Sequence, residues 1–224
     1  MKKRPVPAKF VVDRRDSLGV TLLMEAARRG VRERMLQCLD EGSDINAVDN
    51  GGYNALMHAL QGKQDVPAID LINRGIDVTL RAKNGSTALI EACQSQMPEI
   101  IERLLKKKVP LDAQNSQGNT ALMIACLLND GWAACRVAEE GADFETLKNK
   151  KEMTAIDIAR RFMDRKDLVL FENIIEKRRE EKKLADIRAA ETKAQELEQN
   201  VQDATVLQRE IKVGKPVALK LKPR

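Results

Sequence analysis

The sequence predicts an all-α solenoid: four stacked helical repeats, a degenerate fifth copy as C-terminal cap, then a long charged helix and a short β-like tail. Three observations predict it. "GNTALMIAC" from Gly118 echoes "GSTALIEAC" from Gly85 after about 33 residues, and the same interval recovers "GYNALMHAL" from Gly52 and "GVTLLMEAA" from Gly19. The matching slots are chemically coherent: Leu23, Leu56, Leu89 and Leu122 share one, and Ala26, Ala59, Ala92 and Ala125 another. Finally, hydrophobic residues make up 43% of the 224 residues but aromatics only 3%, which suits tightly stacked helices of Leu, Ile, Ala, Val, Met and Cys.

Residues 1–15 form a basic arm whose apolar run is only Phe10, Val11 and Val12 before charge resumes, so no signal peptide is read there. No apolar run approaches the length that spans a bilayer, and no membrane role is expected. The solenoid and its cap occupy residues 16–175. Each repeat reads as a Gly turn, a first helix starting at Thr21, Asn54, Thr87 or Thr120, a loop, and a second apolar helix. The second helices are expected over 31–39, 66–74, 98–106 and 131–139. In the third, Ile100, Ile101, Leu104 and Leu105 mark a buried stripe, and Pro98 suits the first turn. Gly42, Gly75 and Gly141 fit the left-handed turn that ends a helix, whereas Lys108 holds that slot in the third repeat and predicts a strained or altered turn.

The fifth copy starts near Lys151, one residue out of phase. Thr154, Ala155, Ile156, Ile158 and Ala159 keep the first-helix pattern, and a second helix from about Asp167 would pack through Leu168, Phe171, Ile174 and Ile175. Residues 176–203 are rich in Glu, Lys, Arg, Ala and Leu without Gly or Pro, which favours a long helix. Its apolar stripe, Leu184, Ile187, Ala194, Leu197 and Val201, supplies about two heptads where a coiled coil wants three or four. A solvated helix, a coiled-coil contact with another chain and disorder all remain open for it. In 204–224, imperfect alternation through Val213 and cleaner alternation at Val217, Leu219 and Leu221 read either as a β-hairpin turned at Gly214 to Pro216 or as a disordered basic tail.

These repeats resemble the ankyrin-repeat family, whose signature sets a Gly before Thr-Pro-Leu-His, an Ala after it, and a Gly-Ala-Asp near the next turn. Thr21, Thr87 and Thr120 match the Thr, and Asp44, Asp77 and Asp143 the turn acid. The family's Pro is replaced by Leu22, Ala55, Ala88 and Ala121, and its His by Met24, Met57, Ile90 and Met123. With that His absent, the stack is expected to depend more on apolar packing. The resemblance implies an ankyrin-repeat solenoid that is a non-catalytic protein–protein interaction module, an adaptor or inhibitor holding a partner protein on its concave surface. The alternative is a structural assembly component joined to a complex through its C-terminal helix and tail.

The resemblance also implies that partner-facing residues lie at the turn tips and first-helix ends. These are Ser17, Leu18, Val20, Asn50, Tyr53, Lys83, Asn84, Ser86, Ser116, Gln117 and Asn119 at the tips, and Arg28, Arg29, Gln61, Gln94, Ser95, Leu127 and Leu128 at the helix ends. Tyr53, the sole tyrosine, either anchors an interface or packs on the next loop. Leu127 and Leu128, apolar where other repeats are polar, either form a contact patch, lie under the C-terminal extension or pack on a neighbouring helix.

No catalytic, metal or cofactor pattern is found, and no enzyme, metal or cofactor is expected. The single histidine, His58, leaves no His-rich ligand set, and neither GxxxxGK[ST] nor GxGxxG occurs. Of the four cysteines, Cys93 and Cys126 share one repeat slot, as buried packing residues do, which suits a reducing, cytoplasmic compartment. The net charge of +5 is concentrated at the two ends, where only Phe10 could stack a base, so a solubilising role is preferred over nucleic-acid binding. Oligomeric state stays open between a monomer and part of a hetero-complex.

Overall fold

The computed structural model describes residues 14–212. Helices alternate short and regular: α1 (Leu22–Arg29), α2 (Arg32–Asp40), α3 (Ala55–Gln61), α4 (Asp65–Asn73), α5 (Ala88–Ser95), α6 (Pro98–Lys106), α7 (Ala121–Leu127), α8 (Gly131–Glu139), α9 (Ala155–Phe162) and the long α10 (Arg165–Lys212). Each first helix starts where a side-chain oxygen replaces a missing backbone partner. Thr21, Asn54, Thr87, Thr120 and Thr154 accept from the backbone N–H three residues on.

The first helices α1, α3, α5, α7 and α9 pack in series, and the second helices α2, α4, α6 and α8 do the same behind them. A helix this short cannot bury its apolar side alone, so each one completes its neighbour's core. Leu23, Leu56, Leu89 and Leu122 form the expected ladder, each no more than 1% exposed and all in one hydrophobic cluster with Ala26, Ala59, Ala92 and Ala125. In the cap, Phe171 and Ile175 are buried, with Leu168 and Ile174 packed against the same cluster.

Polar ties between repeats did not vanish with the missing histidine, and several sit at the tips. Arg15 donates to the Val48 carbonyl, Arg81 Nη2 to the Gln114 carbonyl at 2.6 Å, and Gln114 Nε2 to the Lys148 carbonyl at 2.9 Å. Backbone bonds zip the same tips together, from Asn50 to Leu18, Lys83 to Gly51 and Lys150 to Gln117. Close approach sets the residue choice here: a Cβ on Gly85 would meet the Gln114 carbonyl oxygen at 2.4 Å, and its φ of +78° is itself costly for other residues. Apolar packing and these polar ties therefore both join neighbouring repeats.

The turn at Lys108 is left-handed, at φ 54°. Lys63, Gln96 and Asn129 are also left-handed just past α3, α5 and α7, where only the first repeat supplies a glycine, Gly30. The described chain divides into two compact units at Ile175/Glu176. The helix α10 begins as the cap's second helix and continues through Lys212 without interruption. Residues 204–212 are therefore helical where a β-like tail was expected. The cause is helix propagation: once nucleated, a helix extends at little cost through Leu, Gln, Arg, Glu and Lys, and the first glycine is Gly214. The rest of the expected tail, 213–224, and most of the expected arm, 1–13, fall outside the described residues.

Candidate functional site

The repeat period gives every tip the same frame and a different surface. Ser17, Asn50, Lys83 and Ser116 occupy one slot in four consecutive repeats, and all are exposed. Arg28, Gln61 and Gln94 share the last-turn slot of the first helices and are exposed as well, as are Arg29, Leu18, Asn84 and Gln117. Lys83, Asn84 and Ser116 come together in an open recess between the third and fourth tips, floored by Arg81, Gly85, Gln114 and Asn115.

Three expected surface residues are inward. Ser86 is 2% exposed and its hydroxyl donates to Glu91 Oε1 at 2.5 Å. Asn119 is 5% exposed; its Oδ1 accepts from Asn149 Nδ2 at 2.9 Å, and its Nδ2 reaches Gln117. Ser86 is bonded within its own repeat and Asn119 to the next one, so their polar groups complete internal networks, as buried polar groups must. Ser95 is buried too, at the end of α5, and Val20 is half-buried. The leucine pair divides: Leu127 packs against the core while Leu128 stays 43% exposed.

Tyr53 is half-buried and stitched to the next tip, its hydroxyl accepting from Asn84 Nδ2 at 2.6 Å. Burial raises its phenol above the ordinary range, with Glu91 adding to the effect. The ring lies 6.3 Å from the His58 ring at a 59° tilt. His58 is buried, its Nε2 3.0 Å from Asp49 Oδ2, while Asp49 Oδ1 accepts the N–H groups of Gly51 and Tyr53. Beside it Glu91, 6% exposed, accepts from Ser86 and from Gln61 Nε2 at 3.4 Å. This polar cluster between α3 and α5 was missed at the sequence level, because His58 and Glu91 share a repeat slot that is Glu25 in one neighbour and Ile124 in another.

The arrangement offers binding chemistry rather than an activated nucleophile. The Ser86 hydroxyl is committed to a carboxylate, and the histidine to Asp49. Burial raises the thiols of Cys38, Cys93 and Cys126 and pushes Cys135 up to about 11, so the thiolate that nucleophilic attack requires is disfavoured at all four. No disulfide joins them. Another exposed feature that sequence reasoning passed over is Trp132, the sole tryptophan, 43% exposed in an open recess with Gln96, Pro98, Asn129, Asp130 and Asp167. Among the described residues, no helix is long and apolar enough to cross a membrane.

Comparison with known proteins adds two findings. A family profile described as ankyrin repeats, three copies, matches residues 65–148. Over 48 residues the chain is 52% identical to the 2-5A-dependent ribonuclease of Homo sapiens, a stretch that is 21% of this chain and 6% of that protein.

Proposed function

We propose that this chain, whose residues 65–148 are ankyrin repeats, is an adaptor or inhibitor that holds a folded partner protein against its turn tips and first-helix ends. Ankyrin repeats are protein–protein interaction modules and generally non-catalytic. One observation carries the reading: the ladder slots repeat their chemistry while exposed slots change theirs. The ladder is Leu in four repeats, whereas the exposed tip slot runs Ser17, Asn50, Lys83, Ser116 and the helix-end slot runs Arg28, Gln61, Gln94, all exposed, before the half-buried Leu127. A repeated scaffold with a non-repeating surface suits recognition of one particular partner. The concave surface expected of such stacks would then present Arg28, Arg29, Asn50, Tyr53, Gln61, Lys83, Asn84, Gln94, Ser116, Gln117 and Leu128. A reducing, cytoplasmic setting is part of the reading, supported by four free cysteines.

The human relative's name describes a ribonuclease dependent on 2-5A, but the shared stretch is too small a part of that protein to carry its activity here. Affinity capture from the native lysate, read by mass spectrometry, tests the proposal. A Lys83→Glu/Leu128→Asp variant should lose at least tenfold of the captured partner while its circular dichroism stays unchanged. Undiminished capture by that variant would refute the surface.

A second reading is favoured by a separate observation: Leu184, Ile187, Leu197 and Val201 on α10 are between 54% and 66% exposed, so this helix itself can join the chain to an assembly. Deleting residues 176–224 separates the two readings. Retained capture supports the tips, and lost capture with an intact solenoid supports the helix.

A further inference from the structure

We propose that α10 pairs with α10 of a second copy of this chain in a parallel two-stranded coiled coil; the proposal rests on the reading of α10 as a joining element and names its partner. The structural finding behind it is the length of the helix. Ended at residue 203, the apolar stripe is too short for a stable seam, but continued to Lys212 it keeps heptad spacing from Ile187 to Ile211. With Ile187 at a, the register sets Ala194, Val201 and Gln208 at a, and Ala190, Leu197, Ala204 and Ile211 at d. Seven of these eight seam positions are apolar.

Residues 180–202 are exposed throughout, so no described residue covers that stretch of the seam. Ile187 at 54%, Leu197 at 66% and Val201 at 59% are large apolar side chains repeated along a helix that has no packing of its own there. An unsupported helix in water is only marginally stable, and a partner along the stripe removes both liabilities. Leu184, at 54%, lies at an e position and flanks the seam.

The residue types choose the partner. Ile187 and Val201 at a with Leu197 at d is the combination that favours two parallel strands, and Ala190 and Ala194 let the backbones approach closely between them. Charge separates the two orientations. In a parallel pair, Lys193 at g meets Glu198 at e of the other copy and Asp186 at g meets Glu191 at e, each twice by symmetry, so attractive and like-charge contacts balance. An antiparallel pair would set the e positions, Glu191 and Glu198, against each other, with no cation opposite.

Sedimentation equilibrium of the full chain tests the proposal. The expected mass is twice that of the 25.1 kDa chain. A Leu197→Glu/Val201→Glu variant should sediment as a monomer, and Gln195→Glu, at the off-seam b position, should remain a dimer. Leu197→Cys should form a disulfide-linked dimer under mild oxidation, and Gln195→Cys should not, which reports the parallel register. A wild-type monomer up to its solubility limit, or a dimer that survives Leu197→Glu/Val201→Glu, overturns the proposal. A wild-type monomer whose partner capture is nonetheless abolished by deleting 176–224 also overturns it, because the helix then joins to a different chain; the joining role itself fails only if that deletion leaves capture intact.

Discussion

Asp77, at the tip between the second and third repeats, shows how much a single side chain can do. The Thr79 hydroxyl donates to its carboxylate at 2.7 Å and the Thr79 N–H at 2.8 Å, and these bonds hold its pKa below the ordinary carboxylate range. A group depressed in this way adds stability above its unfolded pKa of about 4 and loses it as pH falls through the lower folded value. Urea unfolding across that acid window should therefore show a shallower loss for Asp77→Asn than for the wild type. Lys108 is the opposite case, a residue that costs stability. Its φ of 54° suits glycine, so Lys108→Gly should raise the unfolding free energy by about 1 kcal/mol, read from the urea midpoint. Both residues were legible as turn positions, since three glycines and three aspartates mark the slots they share. Lys63, Gln96 and Asn129 were not, because a slot with one glycine in four repeats carries no visible rule.

The elements divide in a similar way. First helices were readable to the residue at their starts, since a Thr or Asn cap is a local event whose donor lies three positions on. Second helices fell within a residue or so of expectation. The ladder carries a direct prediction: Leu89→Ala leaves a cavity among fully packed neighbours and should cost about 2–5 kcal/mol in chemical denaturation. The Arg81 tie was illegible because its acceptor, the Gln114 carbonyl, is a backbone atom 33 residues away, and a backbone acceptor leaves no residue type to recognise. The far end of α10 was misread for another reason. Imperfect alternation in 204–212 is weak evidence, and a helix already running overrides it.

For the molecule as a whole, the boundary at Ile175/Glu176 makes the solenoid with its cap a unit of its own. A chain ending at Ile175 should keep the thermal midpoint of the solenoid within a few degrees, followed by circular dichroism; a large drop would mean that residues 176–224 support its fold. The sequence by itself determined the period, the ladder and the capped starts, because all of these follow from residue type at fixed spacing. Only the tertiary structure decided which polar residues face out. Ser86 and Asn119 turn inward while Asn84 and Gln117, two positions before them, stay exposed, because Glu91 of its own repeat takes the Ser86 hydroxyl and Asn149 of the next repeat reaches Asn119.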